Sequence, residues 1–271
     1  MPLDSLYLRL RDRNRCNHRD FQNVGVNGAR STSMCRQAAN ASCGDGIITS
    51  LARDKAEDYP VLAVYSLVGN DVCNGHTNRS DPMTKPDEFK SRLDDALAHL
   101  NATLPAGSHL VLIGLLDGRM MYETMAPLVH PALSPITYDE LYGFLNCLET
   151  NPCFGFLNSN STWRDFTANR AEQLNQVLRD AAAAGGYSTL QTITYVDYPI
   201  NRTTVAQWAA AGKNPAELFE AVGGGHPSQT SHALTTAAVW AALEARAPAA
   251  LGPVNPNNAE IAKVYGDQGG Y

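Results

Sequence analysis

The sequence has no excess of basic residues and no long apolar run. Its 271 residues include 21 Lys and Arg against 27 Asp and Glu, a formal net charge of −6. Surfaces that bind nucleic acid are positively charged, so we expect no nucleic-acid partner. A membrane-spanning helix needs about 18 or more consecutive apolar residues. No run here approaches that length, so we expect no transmembrane segment.

The first residues, MPLDSLYLRLRDRNRC, also lack the apolar core of a secretory signal peptide. Two other features nevertheless favour the secretory pathway over the cytosol. The cysteines form an even set that can pair as disulfides, although reduced thiols buried as small apolar groups would give the same count. Acceptor sequons for N-glycosylation occur at Asn40, Asn78, Asn101, Asn160 and Asn201.

The cysteines are Cys16, Cys35, Cys43, Cys73, Cys147 and Cys153. This set allows many pairings, and the sequence alone does not choose among them. The best local pair is Cys147 with Cys153, because the intervening LETNP contains Asn-Pro, which favours a tight turn.

Apolar runs alternate with helical patterns along the chain. Nearly continuous apolar runs, typical of parallel strands buried on both faces, cover 61–67, 109–116 and 189–198. Patterns typical of helices cover 87–100, 161–186 and 228–247. We therefore predict an α/β fold: a doubly wound, mostly parallel sheet flanked by helices. We expect one domain over 1–271, in which 248–271 is a carboxy-terminal extension packed on the rest.

Ligands of such sheets bind beyond the carboxyl ends of the strands. Segment 21–31, FQNVGVNGARS, is predicted to form a short strand that runs into a glycine turn containing Gly28. The strand at 61–67 is followed by Asn70-Asp71, and a triple-glycine loop places His226 just before a helix.

These residues suit acyl transfer. A glycine N–H and an asparagine amide aimed at one point form an oxyanion hole, and a nearby histidine can activate a hydroxyl nucleophile as general base. We predict Gly28 and Asn70 as oxyanion donors and His226 as the base, with Asp71 supporting the loop.

Each feature alone also has an ordinary explanation. Gly28 suits any turn, Asn70-Asp71 suits a turn that ends a strand, and His226 suits any loop. His232, inside the following helix, is expected to be structural or exposed. The other histidines have no ligand-like spacing, so we expect no metal site. The order of the three features and their shared position at strand ends favour catalysis.

The segments NVGVNGARS, LVGNDVC and GGGHPSQ resemble the second, third and fifth sequence blocks of the SGNH (GDSL) hydrolases. A more specific resemblance, to the acyloxyacyl hydrolase branch, covers nearly the whole chain through NRCNHRDFQN, GNDVCNG, GLLDGRMMYE, LYGFLNCLETNPCFGFLNSN, RAEQLNQVL and KVYGDQGGY.

This resemblance implies a three-layer sandwich fold and a secreted or lysosomal/vacuolar esterase. Such an esterase removes secondary fatty acyl chains from lipopolysaccharide-like glycolipids or other acylated lipids, so an acylated glycolipid or phospholipid is the expected substrate. The resemblance also implies Gly28, Asn70 and His226 as site residues, and a Cys147–Cys153 bridge agrees with it.

The chain departs from the family pattern in two places. The family's nucleophile is the serine of a Gly-Asp-Ser motif on the first, central strand, upstream of NVGVNGARS, and no such motif is found there. The sequence 44–46, Gly-Asp-Gly, lies after that block and has glycine in place of serine. The family also has an Asp three residues before the catalytic histidine. The corresponding position in this chain is Gly223. Glu220 and Asp197 are the remaining candidates for an orienting acid.

We therefore expect that the chain begins after the serine-bearing strand of a longer hydrolase. In the family, the upstream part also carries a signal peptide, a saposin-like domain and calcium ligands, so no cofactor is expected in these residues. Without the strand, the chain alone should fold poorly and hydrolyse no ester. Two alternatives stay open: a catalytically inactive relative that binds lipid or glycan, and a small SGNH carbohydrate esterase, which the apolar segment 120–129 disfavours.

Overall fold

The computed structural model describes residues 3–35, 46–51, 53–67, 69–73 and 83–266. Within these residues the sheet has three parallel strands, in the order in which they occur along the chain. They are β1 Leu62–Ser66, β2 Ser108–Ile113 and β3 Leu190–Val196. Each strand overlaps one of the three predicted apolar runs.

The α-helices of the described residues are α1 Leu6–Arg13, α2 Ser31–Met34, α3 Pro86–Thr103, α4 Arg119–Met125, α5 Tyr138–Cys147, α6 Ser161–Ala184, α7 Arg202–Ala210, α8 Gln229–Arg246 and α9 Asn258–Tyr265. The predicted helices correspond to α3, α6 and α8. Capping residues define both ends of α6. The Asn160 side chain accepts a hydrogen bond from Trp163 N at the first turn, and Gly185 ends the helix at φ +56°.

Helices connect and flank the strands, as parallel pairing requires. Helix α3 joins β1 to β2, α6 and α8 both contact β3, and α3 contacts α6. The predicted α/β fold class is confirmed. Strand β2 is buried along its whole length, whereas Val64 on β1 is 44% exposed. Strand β1 pairs with β2 along one edge, and no other described strand pairs with its second edge.

The carboxy-terminal segment contacts the first helix. Arg13 Nε donates to the carbonyl oxygen of Gly252 at 2.7 Å, and Asn255 N donates to the carbonyl of Arg13 at 3.0 Å. The Asn258 side chain also donates to the Arg13 carbonyl, at 3.0 Å. Backbone and side-chain hydrogen bonds thus join the two ends of the described chain.

The short strand predicted within 21–31 is wrong, because this segment forms turns and irregular backbone. Gly25 N donates to the Asn23 side chain at 2.9 Å, and Ala29 N donates to the Val26 carbonyl at 3.1 Å. Local turns of this kind occupy backbone groups that a strand would pair with a neighbour.

The predicted Cys147–Cys153 bridge is also wrong. Cys153 is bonded to Cys73, 80 residues earlier, with a Cα–Cα distance of 4.3 Å. Cys147, in the last turn of α5, is an exposed free thiol, whereas Cys153 is buried. Cys35 is disulfide-bonded and Cys16 is free, while Cys43 lies outside the described residues.

Candidate active site

The turn after β1 explains why two polar residues follow an apolar strand. Asn70 Nδ2 donates to the carbonyl oxygen of Ala29 at 3.0 Å. The Asp71 carboxylate is fully buried and accepts hydrogen bonds from Ser31 N at 2.9 Å and Thr84 Oγ1 at 2.6 Å. Buried polar groups need such partners. The turn is thereby attached to segment 28–31, which contains Gly28.

Gly28 lies in the second half of a tight turn. Its φ of +75° belongs to the left-handed region that favours glycine, and no described residue lies within 4 Å of where a Cβ would stand. Arg30, two residues later, donates to the carbonyl of Cys73, so segment 28–31 contacts both ends of the turn 70–73.

The histidine loop is a closed hairpin. Glu220 N donates to the carbonyl of His226 at 3.0 Å, and Phe219 forms an antiparallel bridge with Pro227. Gly224 has φ +65°, and a Cβ there would lie 2.5 Å from the hydroxyl of Tyr142. Both conformation and space therefore require glycine at this position. His226 extends from the loop with most of its side chain exposed.

Of the two candidate acids, Glu220 is the one beside the histidine. Its Oε1 lies 3.8 Å from His226 Nδ1, and its carboxylate accepts hydrogen bonds from the N–H groups of Val222, Gly223 and Gly225. The Asp197 carboxylate instead contacts the Tyr195 hydroxyl at 2.8 Å and Arg179 at 3.3 Å. These contacts disfavour Asp197 as the orienting acid.

Three buried side chains from outside the hairpin bind its carbonyl groups. The Tyr138 hydroxyl donates to Ala221 O, and the Tyr142 hydroxyl donates to Gly223 O at 2.9 Å. His130 Nε2 lies 2.6 Å from the carbonyl oxygen of Val222. Since His130 Nδ1 accepts from Ala132 N, Nε2 is the ring nitrogen that donates to this carbonyl.

These three residues were missed in the sequence, because no local pattern connects positions 81 to 92 residues apart. Burial, with a smaller contribution from the Glu220 charge, raises the pKa of both Tyr138 and Tyr142. Both hydroxyls therefore stay protonated and able to donate across the neutral range.

Gly28, Asn70 and His226 line a single cavity of about 1140 Å³. The cavity runs along the whole of β1 and is walled mainly by apolar residues from α1, segment 21–29 and the 3₁₀ turn Ile47–Ser50. His232 also reaches this wall from the first turn of α8, where it is exposed. Ser66 is the single serine or threonine that the described part of the chain contributes to the wall.

Nothing in the described ranges resembles a metal site: they hold no group of three or more His, Cys, Asp and Glu close enough to share an ion. Across the same ranges, no helix is long and apolar enough to cross a membrane.

Several known proteins are similar to this sequence over nearly its whole length. Residues 3–239 match the family model described as GDSL-like Lipase/Acylhydrolase. The chain is 38% identical over 270 residues to acyloxyacyl hydrolase of Homo sapiens and 39% identical over 274 residues to that of Oryctolagus cuniculus. These alignments cover 98% and 99% of this chain but 45% of each relative. The chain therefore spans about half the length of these relatives, and it belongs to the GDSL-like lipase/acylhydrolase family.

Proposed function

We propose that this chain is part of a lipid ester hydrolase of the acyloxyacyl hydrolase type. Its substrates would be lipopolysaccharide-like glycolipids or other acylated lipids, from which it removes secondary fatty acyl chains in a secreted or lysosomal setting. The observation that carries the proposal is that Gly28, Asn70 and His226 line one cavity. Family membership supports the ester chemistry, and the relatives' shared name supports the acyl substrate.

The residues suit a Ser-His mechanism. His226 would take the proton of an attacking hydroxyl, and Glu220, near Nδ1, would stabilise the resulting imidazolium. The tetrahedral oxygen would be stabilised by the Gly28 N–H and by the Asn70 amide, whose second hydrogen is available beyond the bond to Ala29. The protonated His226 would then protonate the leaving alkoxide, and water would release the fatty acid.

The hydroxyl would come from a further strand that adds to the edge of β1 that no described strand pairs. The cavity follows β1 from Val61 to Leu67, and the outward N–H and C=O groups of an edge strand accept a new neighbour. A parallel strand there would end at the same side of the sheet as Asn70. Because the chain covers 45% of its relatives, a longer protein of this family has residues to supply it.

A catalytically inactive relative that binds lipid is the second candidate. Within the described residues, no serine or threonine hydroxyl is hydrogen-bonded to the His226 ring, and the Glu220 carboxylate lies 3.8 Å from its Nδ1. Ser66 would be the one alternative serine or threonine nucleophile that the described residues supply to the cavity wall. These two explanations make different predictions for mutants.

The test compares residues 1–271 with an extended protein, defined as the same chain preceded by any in-frame segment that its gene encodes upstream. Hydrolysis of a soluble nitrophenyl ester and release of fatty acid from acylated glycolipid are measured for both. We expect activity in the extended protein only. It should be abolished by His226→Ala and retained in His232→Ala and Ser66→Ala.

Three results would contradict the proposal. Activity of the 271-residue chain that depends on Ser66 would place the nucleophile on β1. Equal losses from the two histidine changes would mean that the base is misassigned. An extended protein that binds glycolipid and hydrolyses neither substrate would support the inactive relative.

A further inference from the structure

The cavity of the candidate active site has an apolar floor. We define the apolar floor as four of the lining residues, Leu116, Met121, Phe156 and Leu157. Leu116 and Met121 follow the carboxyl end of β2, and Phe156 and Leu157 lie just before α6. Each is between 1% and 4% exposed, so each is packed on most sides and meets the cavity with a small part of its surface. The cavity therefore ends on these side chains.

The segment that carries half of the floor, 153–157, contacts the turn 70–73. Its first residue forms the disulfide with Cys73. A Cβ on Gly155 would stand 3.0 Å from the carbonyl oxygen of Val72. One covalent bond and one close backbone contact thus attach the floor to the turn that carries the oxyanion asparagine.

The same segment contacts the histidine hairpin on its other side. A Cβ on Gly225, the residue before His226, would stand 3.1 Å from Leu157 Cδ1. The Leu157 side chain therefore packs against the backbone that presents the proposed base. The floor lies between the two halves of the site, where the acyl group of a bound ester would enter the protein.

Phe156 and Met121 meet at Gly118, between β2 and α4. A Cβ on Gly118 would overlap the Phe156 ring and would lie 2.7 Å from Met121 Cε. The close approach of these two side chains closes the bottom of the cavity. Asp117 and Arg119, which flank the glycine, pair with each other at 2.6 Å and are not among the described wall residues.

The floor presents no polar or charged group of its own to the cavity. The carbonyl oxygen of Leu157 accepts hydrogen bonds from the side chains of Asn146 and Asn151, at 3.0 Å each. Among the described wall residues, Asp and Arg occur as Asp20 and Arg53, which pair with each other at 3.3 Å and belong to other segments. A bound group that reaches the floor must therefore be apolar.

We propose that the apolar floor receives the terminal carbons of the substrate's acyl chain, so that Phe156 limits the length of chain that is hydrolysed. This inference rests on the proposed function and adds the residues that set chain length. In the extended protein the part of the cavity along β1 would hold the added strand. The floor is then the apolar wall left for an acyl chain whose carbonyl lies at Asn70 and His226.

The test measures kcat/KM of the extended protein on soluble nitrophenyl esters whose straight acyl chains lengthen two carbons at a time. Each methylene that leaves water for an apolar site is worth about fourfold. We expect kcat/KM to rise with chain length until the chain reaches the floor, and to fall for longer chains.

A matched pair of variants locates the limit. Phe156→Leu shortens a floor residue, and Phe89→Leu makes the same change at a residue of α3 that is 0% exposed and is not a wall residue. We expect Phe156→Leu to move the optimum to longer chains and to raise the ratio of long-chain to short-chain kcat/KM about tenfold. Phe89→Leu should leave this ratio unaltered, although both changes lower the melting temperature.

Leu157→Phe is the opposite change, because it fills space next to Gly225. It should move the optimum to shorter chains and lower kcat/KM for the best substrate of the parent about tenfold or more. Melting temperatures identify any variant that does not fold. The two floor variants shift the optimum in opposite directions, which a general loss of stability would not do.

Binding of saturated fatty acids separates this inference from the catalytic proposal. Titration calorimetry of the extended protein should give the same order of chain lengths for parent and variants as hydrolysis does. If no ester is cleaved but the preferred fatty acid lengthens in Phe156→Leu, the proposed function fails and the floor stands.

Three results would overturn the floor. The parent could show no optimum in chain length, in hydrolysis or in binding. The optimum could stay the same in both Phe156→Leu and Leu157→Phe while these variants remain folded. Phe89→Leu could shift the optimum as much as Phe156→Leu, which would mean that loosening of the core, not the floor, changes the preference.

Discussion

Glu220 and His226 face each other across one hairpin, with Oε1 of Glu220 3.8 Å from Nδ1 of His226. The main chains of the same two residues are joined by the bond from Glu220 N to His226 O. The hairpin thus brings an acid six residues upstream next to the ring, although Gly223 occupies the position three residues upstream. At 3.8 Å the two atoms lie beyond hydrogen-bond distance, so the carboxylate can act on the ring through its charge.

Neutralising the acid should therefore reduce turnover more than binding. In the extended protein we expect Glu220→Gln to lower kcat by about tenfold to a hundredfold with KM nearly unchanged, because imidazolium is formed only during reaction. Asp197→Asn is the matched control and should leave kcat unaltered. Steady-state kinetics on the soluble ester provide the comparison, and equal effects of the two changes would argue against a role for Glu220.

Tyr142→Phe tests whether the carbonyl contacts hold the hairpin. The change removes the donor to Gly223 O and leaves the ring, so we expect a loss of about 1–2 kcal/mol in unfolding free energy. Turnover should fall as the hairpin loosens. Tyr59→Phe, at a residue that is 89% exposed, should change neither quantity. Denaturant unfolding and kcat would be measured together, and an unchanged kcat would limit Tyr142 to a structural role.

The strands and the main helices could be predicted because their signals are local. The apolar runs gave β1, β2 and β3, and Asn160 and Gly185 mark the ends of α6. The segment 21–31 was mispredicted as a strand because pairing depends on a neighbour, and Asn23 instead bonds locally with Gly25. The β-propensity of a short apolar stretch does not decide between pairing with a neighbouring strand and forming a local turn.

The sequence suggested candidate site residues but not the distant contacts that hold them in place. Order along the chain indicated Gly28, Asn70 and His226, and the cavity they share required the fold. The carbonyl contacts of His130 and the Cys73–Cys153 bond join residues about 80 or more positions apart. The prediction of a Cys147–Cys153 bridge relied on their short separation along the chain. The sequence does not show that Cys73 lies closer to Cys153 in space.

Substitutions at Asn70 and Asp71 should have different effects, the first mainly on turnover and the second mainly on stability. Removing one oxyanion donor typically costs about 10²–10³ in kcat, which we expect for Asn70→Ala in the extended protein. Its bond to Ala29 is partly exposed, so the accompanying loss of stability should be small. Asp71→Asn leaves buried donors such as Ser31 N with a poorer acceptor and should mainly lower the melting temperature. Melting curves and kcat of both variants provide the test, and the reverse pattern would exchange their roles.

The Cys73–Cys153 bond should stabilise the turn that carries Asn70. It closes a loop of 80 residues, for which chain-entropy arguments give about 4 kcal/mol. We expect Cys73→Ser/Cys153→Ser to lose about 2–5 kcal/mol of unfolding free energy, while Cys147→Ser, at an exposed free thiol, loses almost none. Peptide mapping without reduction would identify the pair directly. A linked Cys147–Cys153 peptide would contradict this pairing.

Buried tyrosines should make the fold sensitive to alkali. Burial raises the pKa of Tyr122 and of Tyr198 to about 12 and raises that of Tyr195 further. An unfolded tyrosine ionises near pH 10. Above that pH the unfolded chain binds fewer protons than the folded chain, so stability falls as pH rises from about 10 towards the folded-state pKa values. Below about pH 9 these groups contribute no pH dependence.

The corresponding measurement pairs melting temperature with tyrosinate absorbance between pH 8 and 12. We expect the melting temperature to decline above about pH 10, and the buried tyrosines to ionise only as the chain unfolds. Tyr198→Phe removes one such group and should make the decline shallower. If all tyrosines ionised near pH 10 while the circular dichroism of the fold stayed intact, the hydroxyls would be solvated. The buried environment assigned to Tyr198 and Tyr195 would then be wrong.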